Sequence, residues 1–277
     1  MDLRDKVVVV TGAGGGLGRA LSLEFARLGA YVIALDLDLK EAGETAALLE
    51  RTGFRCTPMQ VDATNGEAVA AVAAEVVAKH GRVDVLMNCV GIGAGGRFDR
   101  FTLADWEIVI RTNLWGILVP IYAFLPYMIE RRQGHIAIIS SASGILASPF
   151  TAPYNTTKFA LVGLGESMRS ELGGYGIGVT IICPTAVKTK FMENSMTVIS
   201  GAFDDKMYKL LIKQWASAYD PDKAARIMVE GIKRNRPLVI LGGGIKLFYF
   251  LRRLFPRLYY GFIDNMGKVA IRMAEKG

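Results

Sequence analysis

A tyrosine and a lysine in the segment YNTTK are suited to proton transfer. Tyr154 and Lys158 are four residues apart, so on a helix they would share one face. A free phenol has a pKa of about 10, and a nearby cation favours the phenolate. The pair therefore predicts a general acid or base, and the alternative is a solvated helix face that happens to have this spacing.

A glycine-rich segment, TGAGGGLG at residues 11–18, follows one apolar run and precedes a helical pattern. Glycines allow a tight turn that brings backbone N–H groups against a pyrophosphate at the positive end of a helix. Asp36 ends the second predicted strand, where a carboxylate can accept hydrogen bonds from ribose hydroxyls and would repel a 2′-phosphate. Leu37 follows it in place of a basic residue. These positions favour NAD over NADP, and a helix-capping or loop aspartate is the alternative.

Short apolar runs alternate with helical patterns over most of the chain. This alternation predicts an α/β fold, a single-domain Rossmann-like doubly wound parallel sheet of seven strands flanked by helices. We expect residues 1–241 to form the dinucleotide-binding and catalytic domain, with a mobile substrate lid at 190–214, and residues 242–277 to form a C-terminal helical extension. The predicted strands span residues 7–11, 31–35, 55–61, 83–87, 135–140, 178–183 and 238–241.

Composition and charge limit the classes of partner. The 277 residues are 51% hydrophobic, yet we find no run of about 18 uncharged apolar residues and no signal-peptide pattern, which predicts a cytoplasmic protein. Three scattered cysteines and two histidines predict neither a disulfide framework nor a metal site. The net charge of +7 comes mainly from the last 45 residues. A basic tail is therefore better supported than a protein that is basic throughout. Nucleic-acid binding by this tail is the weakest option, because its charges alternate with large aliphatic side chains.

With the glycine turn, Asp36 and the YNTTK segment in order, the chain resembles the short-chain dehydrogenase/reductase family from about residue 5 to 241. The resemblance implies a catalytic set of Asn113, Ser141, Tyr154 and Lys158. Ser141 lies thirteen residues before Tyr154, as in the family, and Ser143 is its nearest rival. In the family, the lysine holds the nicotinamide ribose and the asparagine orders a water that connects the lysine to solvent.

The same resemblance implies the residues that bind the cofactor NAD. Two departures stand out, because the family's NNAG is Asn-Cys-Val-Gly here and Thr185 replaces the glycine that usually follows Pro184. The implied cofactor-binding set is Gly12, Gly14, Gly16, Leu17, Gly18, Asp36, Asp62, Ala63, Asn88, Gly91, Tyr154, Lys158, Pro184, Val187 and Thr189.

Mostly apolar side chains follow predicted strands four to six, where ligands bind in open α/β sheets. They favour a hydrophobic secondary alcohol or its ketone, such as a steroid, retinoid or other lipid, and the alternative is that half of them only pack the lid. An NADP-dependent reductase of a bulky ketone and an inactive nucleotide-sensing protein are the competing functions. The predicted pocket residues are Ile92, Ser143, Ile145, Pro149, Thr185, Phe191 and Met192.

The tail segment IKLFYFLRRLFPRL, at residues 245–258, places apolar side chains on one helical face and basic ones on another. We expect one helix with a kink at Pro256. Its apolar face predicts peripheral contact with an anionic membrane, cover over the substrate pocket, or packing on another subunit. The family resemblance further implies a homodimer or homotetramer that pairs through the helices carrying Asn113 and Tyr154.

Overall fold

Seven parallel strands form one sheet in the computed structural model, which describes residues 1–191 and 218–275. The order across the sheet is β3-β2-β1-β4-β5-β6-β7, which confirms the predicted Rossmann-like architecture. The predicted strand ends are correct to within two residues. The strands are β1 Val7–Thr11, β2 Tyr31–Asp36, β3 Cys56–Gln60, β4 Val85–Asn88, β5 Gly134–Ile139, β6 Ile177–Cys183 and β7 Leu238–Ile240.

Helices cover both faces of this sheet, so the central strands are buried on both sides and read as continuous apolar runs. Helices α1, α2 and α7 pack on one face, around Phe25, Leu49 and Met228. Helices α3, α5 and α6 pack on the other, around Phe124 and Leu161. The helices are α1 Gly16–Arg27, α2 Leu39–Arg51, α3 Gly66–His80, α4 Leu103–Ile110, α5 Gly116–Glu130, α6 Ala152–Leu172, α7 Pro221–Lys233, α8 Gly243–Leu254 and α9 Pro256–Glu275.

The expectation that no long apolar run exists is wrong. α4, the π-helical stretch Arg111–Trp115 and α5 form one helical run, Leu103–Glu130, which is long and apolar enough to cross a membrane by length and composition alone. Thr112, Asn113 and two prolines interrupt the apolar residues, so the sequence alone does not show a continuous apolar run. In the structure α5 packs on the sheet, and its side chains Ile117 and Phe124 are fully buried.

The tail forms two helices instead of the single kinked helix that we expect from the sequence. α8 ends at Leu254, and α9 begins at Pro256. Proline lacks the N–H that would continue α8 and disfavours helical geometry in the residue before it, so Phe255 adopts φ −131° and ψ 64°. The rings of Phe248 and Phe262 lie 5.8 Å apart, which joins the two helices.

β7 ends at Ile240 and α8 starts at Gly243. These bounds do not determine how many domains the chain has, so the domain boundaries stay a prediction. Apart from Lys190 and Phe191, the predicted lid lies outside the described residues. Met192 lies there as well.

Close packing between α6 and β6 sets the position of the helix that carries Tyr154 and Lys158. Gly165 of α6 faces the sheet, and a Cβ there would lie 2.4 Å from Cγ1 of Ile181. Gly163, two residues earlier, has no atom within 4 Å of an added Cβ. The two glycines therefore form a matched pair on one helix.

We expect Gly165→Ala to destabilise the fold by about 1–3 kcal/mol, because Ile181 must shift in a close-packed core. Gly163→Ala should stabilise it by about 0.5–1 kcal/mol, because alanine favours the helix. Urea unfolding of both variants checks this. Equal effects of the two substitutions would mean that α6 does not pack on β6 as described.

Candidate active site

The carboxyl ends of the strands form one edge of the sheet, and the strand order reverses between β1 and β4. Ligands of open α/β sheets bind at such a reversal. β1, β2 and β4 end here at Thr11, Asp36 and Asn88. The loop after β5 contains Ser141, and α6 brings Tyr154 close to it. The edge thus collects residues from five separate segments.

Tyr154 lies half-buried, two residues into α6, beside Ser141. Burial raises the pKa of the Tyr154 phenol to about 12, against a smaller lowering by the hydrogen bond with Ser141. The Ser141 hydroxyl also accepts a 3.1 Å hydrogen bond from the backbone N–H of Ser143, which orients it. Of the two rival serines, Ser141 is therefore the one that contacts the phenol. Ser140 is buried and donates to the carbonyl of Lys158, a structural contact.

Lys158 is buried under the same site, with 2% of its surface exposed. Its Nζ donates a 3.2 Å hydrogen bond to the carbonyl of Ile139, the last residue of β5, and lies 5.6 Å from the Tyr154 ring centre. Burial lowers the pKa of the Lys158 ammonium to about 8. The group is thus still a cation at neutral pH, and its charge favours the phenolate of Tyr154.

Asn113 is fully buried in the π-helical stretch between α4 and α5. Its Oδ1 accepts a 2.7 Å hydrogen bond from the N–H of Ile92, and its Nδ2 donates to the Ile92 carbonyl at 2.9 Å. Nδ2 also donates to the Thr157 hydroxyl at 3.1 Å. A Cβ on Gly91 would come 3.2 Å from Lys158 Nζ and 3.3 Å from Asn113 Oδ1. Asn113 and Lys158 therefore both lie close to Gly91.

Thr157 is a positioning residue that the sequence reasoning missed. Its hydroxyl accepts from Asn113 and donates to the Tyr154 carbonyl at 2.9 Å, which ties the π-helical stretch to α6. Position i+3 from Tyr154 shares the helix face of the tyrosine and could have indicated it. The neighbouring Thr156 is exposed and donates to the Ala152 carbonyl within the helix.

The glycine-rich turn has the backbone that a pyrophosphate site needs. Gly12 has φ +65°, a conformation that favours glycine, and a Cβ on Gly18 would lie 1.9 Å from the Gly12 carbonyl oxygen. Among the described residues no side chain caps the N-terminus of α1, and its first turn contains no acid. Its first N–H groups are therefore available to an anion.

Asp36 at the end of β2 is bound to this turn, because its Oδ2 accepts a 2.7 Å hydrogen bond from the N–H of Gly14. Oδ1 accepts from the N–H of Asp38. Leu37 beside it is 67% exposed. Arg19 is the nearby cation, and it is engaged by Glu41 and the Gly14 carbonyl.

The other residues predicted to bind cofactor line the same edge. Asp62 is exposed and its Oδ1 accepts from the N–H and hydroxyl of Thr64, with Ala63 buried between them. Asn88 donates to the Ala137 carbonyl, while its buried Oδ1 accepts no hydrogen bond from the part of the chain that the structure describes. Leu17 packs against the core formed by α1 and α7.

After β6, the segment from Pro184 runs back across the glycine turn. Val187 pairs with Tyr219, and a Cβ on Gly16 would come 3.0 Å from Cβ of Thr189, so Thr189 lies against the turn. A Cβ on Gly242 would come 3.4 Å from the Thr185 methyl group, which places this methyl on the side of α8.

The predicted pocket residues do not all lie beside Tyr154. Ile92 packs beside Tyr154 in a small apolar cluster, and the Phe191 ring lies 6.2 Å from the Tyr154 ring. Pro149 and Ser143 are partly buried in the loop between β5 and α6. Ile145 has 3% of its surface exposed and packs beneath α8 instead of lining an open wall. The pocket assignment stays a prediction.

A nicotinamide dinucleotide fits these residues. The uncapped N-terminus of α1 and the glycine turn would hold its pyrophosphate, and Asp36 would hold the adenosine ribose. The orphan Oδ1 of Asn88 and the positions of Lys158 and Thr189 suit the nicotinamide half. The Tyr154 phenol and the Ser141 hydroxyl lie on the same side of this site.

Comparison with known proteins gives one family. The family model described as short chain dehydrogenase matches residues 6–198. The chain is 33% identical over 256 residues to the oxidoreductase SadH of Mycobacterium tuberculosis, covering 92% of each chain. It is 30% identical over 267 residues to dehydrogenase/reductase SDR family member 7B of Danio rerio, covering 94% of this chain and 84% of that one.

Among solved structures, a short chain dehydrogenase/reductase from Burkholderia phymatum in complex with NAD matches with a TM-score of 0.84 at 27% identity. The match covers 93% of this chain and 96% of that one. A short-chain dehydrogenase from Streptomyces avermitilis matches with a TM-score of 0.78 at 28% identity, over 95% of this chain and 98% of that one.

The buried Lys158 makes a stability prediction. Its pKa is lowered from 10.5 in the unfolded chain to about 8, so between these pH values the unfolded state binds more protons and stability rises with pH. At pH 7 the ammonium is charged in both the folded and the unfolded state, so its burial destabilises the fold by the full amount. We expect Lys158→Met to be more stable than the wild type at pH 7, with a difference that shrinks above pH 8.

Urea unfolding from pH 7 to about 9.5 measures this difference, below the range where tyrosines titrate. Lys79→Met, in the last turn of α3, is the control and should give a difference that does not change with pH. A pH-independent difference for Lys158→Met as well would contradict the perturbed ammonium.

Proposed function

Since the chain belongs to the short-chain dehydrogenase/reductase family and is an oxidoreductase, we propose that it interconverts a hydrophobic secondary alcohol and its ketone with NAD. The observation that carries this proposal is the Tyr154 phenol beside Ser141, with the Lys158 ammonium buried one turn further along α6. This arrangement supports proton exchange with a substrate hydroxyl.

In the oxidative direction the proposed role of Tyr154 is to accept the proton of the alcohol. A pKa of about 12 makes the isolated phenol a poor base at neutral pH, so a positive charge nearby is needed. Lys158 supplies one such charge within the protein. The nicotinamide cofactor, when bound, supplies the acceptor for the hydride of the carbinol carbon.

Ser141 would bind the same substrate oxygen from a second direction. Its orientation follows from the N–H of Ser143, which donates to it, and from the short 3₁₀ turn Ala142–Gly144 that it begins. In the reductive direction this hydroxyl would stabilise the developing oxyanion beside the phenol. Asn113 and Thr157 would act only through Lys158 and α6, as positioning residues.

NAD is the proposed cofactor because Asp36 presents a carboxylate at the ribose position and Leu37 adds no positive charge. The solved Burkholderia relative that contains NAD is consistent with this choice. A 2′-phosphate would lie against Asp36 and close to Glu41.

The apolar substrate class follows from the side chains around the phenol. Ile92 and Phe191 pack close to Tyr154, and both would contact the carbon skeleton of a substrate held at the phenol. A steroid, retinoid or other lipid alcohol matches such walls better than a sugar.

We further propose a homodimer or homotetramer, formed through α5 and α6 as the family resemblance implies. Trp115 and Tyr122 expose 53% and 75% of their surface on the helical run that would form this contact. A cytoplasmic location and peripheral membrane contact through residues 245–258 belong to the same proposal.

Tyr154→Phe should lower turnover by about 10²–10⁴-fold, since the proton exchange is lost while the ring still packs. Absorbance at 340 nm measures NADH formation on hydroxysteroids, retinol, secondary alcohols and sugars. NAD binding, followed by thermal shift, should remain. Tyr175→Phe, in the exposed turn after α6, is the control and should keep the wild-type rate. Wild-type turnover by Tyr154→Phe would rule out the proposed acid/base.

The double variant Asp36→Asn/Leu37→Arg should raise the ratio of kcat/KM for NADP over NAD by on the order of 100-fold. Removal of the repulsion and addition of a cation each contribute about tenfold. Leu39→Arg adds a cation two residues away, at the start of α2, and should change the ratio little. A wild-type enzyme that already prefers NADP would contradict the role given to Asp36.

A further inference from the structure

The two C-terminal helices hold an unusual share of exposed apolar surface. Of the 23 large hydrophobic side chains that are exposed in residues 1–191 and 218–275, twelve lie between Leu247 and Ile271. Leu254 and Leu258 expose 69% and 73% of their surface. Between them, α8 and α9 form an open apolar groove of about 160 Å³, which Phe248 and Phe262 help to line. We call the outer apolar faces of α8 and α9 the extension surface.

Basic side chains accompany the extension surface. Residues 242–277 contain seven Lys or Arg and two Asp or Glu, which is +5 of the net charge of +7. On α9, Arg257, Lys268 and Arg272 share one stripe at helical spacing. The exposed Leu258 and Phe262 lie on the adjoining face. The helix is therefore amphipathic, with its apolar face uncovered and a basic border beside it.

Packing on the protein's own body explains only one side of α8. Ile245 and Tyr249 join an apolar cluster with Ile145 and Leu146, so the inner face of α8 covers the loop after β5. Leu247 and Leu254 lie away from this cluster and are exposed. The prediction that the tail covers the pocket thus explains the inner face of α8. It does not explain what the outer faces of α8 and α9 bind.

We infer that the extension surface binds the surface of an anionic lipid bilayer, with the apolar faces of α8 and α9 in the interface and the basic side chains at the headgroups. Apolar insertion combined with Lys and Arg is the physical pattern of interfacial helices. Charge selects this occupant over a second copy of the chain, because two such surfaces would bring Arg257, Lys268 and Arg272 of one copy against the same side chains of the other.

Arg252 holds the bound extension to the proposed active site. Its Nη1 donates to the carbonyl of Ile145, and its guanidinium lies 5.2 Å from the Phe159 ring centre of α6 and 5.1 Å from that of Tyr259 in α9. A bilayer under α8 and α9 would therefore lie on the side of the molecule where the Ser141 loop and α6 meet. An apolar substrate dissolved in lipid would be near the site.

The test is co-sedimentation of the full chain with vesicles of pure phosphatidylcholine and of equal parts phosphatidylcholine and phosphatidylglycerol. We expect binding to the anionic vesicles that weakens with salt. Arg257→Gln/Lys268→Gln/Arg272→Gln should weaken it by on the order of 100-fold, about fivefold for each charge. Lys40→Gln/Arg51→Gln/Lys79→Gln removes three charges elsewhere and should have at most a small effect.

The apolar part is tested with Leu254→Ser/Leu258→Ser, which should also reduce vesicle binding, against the control Leu103→Ser/Tyr175→Ser. Thermal unfolding verifies that each variant is folded. Equal binding to neutral and anionic vesicles, or no binding to either, would overturn the inference. So would light scattering without lipid that shows a concentration-dependent dimer, if Leu254→Ser/Leu258→Ser abolishes this dimer. No turnover is measured, so failure here leaves the proposed oxidoreductase chemistry untouched.

Discussion

The buried carboxamide of Asn113 is the interaction on which the site depends. It bonds both backbone groups of Ile92 after β4 and the hydroxyl of Thr157 on α6, so one side chain joins three segments that are distant in sequence. Buried polar groups left without partners are costly, and satisfying them defines the relative position of these segments. The π-helical stretch that presents Asn113 fits this view, since such bulges frequently occur at functional sites.

Lys158 differs from Asn113, because its burial costs stability. Its ammonium is buried with one carbonyl partner, that of Ile139, among the described residues. Burial lowers the pKa of Lys158 towards neutrality and raises that of Tyr154, so in both groups the charged form is less favourable than it would be in water. Strongly perturbed pKa values of this kind cluster at active sites, and that of Lys158 is moved towards the operating pH. The well-packed sheet beneath, in which β5 and β6 are fully paired, offsets this loss of stability.

The parts of the fold that local pattern determines were predictable. Runs such as VVVVT identified the strands because a doubly covered sheet buries every side chain of its central strands. The glycine turn and the spacing from Tyr154 to Lys158 were equally local. Helical spacing places Thr157 on the face of Tyr154, but the partners of Thr157 and Arg252 were not predictable, because they lie 44 and 107 residues away. Pro256 was recognised as a disruption, but whether a proline kinks or ends a helix depends on packing that the sequence does not state.

Arg252 has a thermodynamic consequence. Because its guanidinium contacts α6, α9 and the Ile145 carbonyl together, a shift of α9 is transmitted to the loop that begins at Ser141. Coupling between two binding sites is reciprocal. Any partner that binds the extension more tightly when this loop is ordered must raise the affinity of the site for its own ligand by the same factor. The C-terminal helices and that loop are thus joined by the contacts of Arg252 and by the packing of Ile245 and Tyr249 on Ile145.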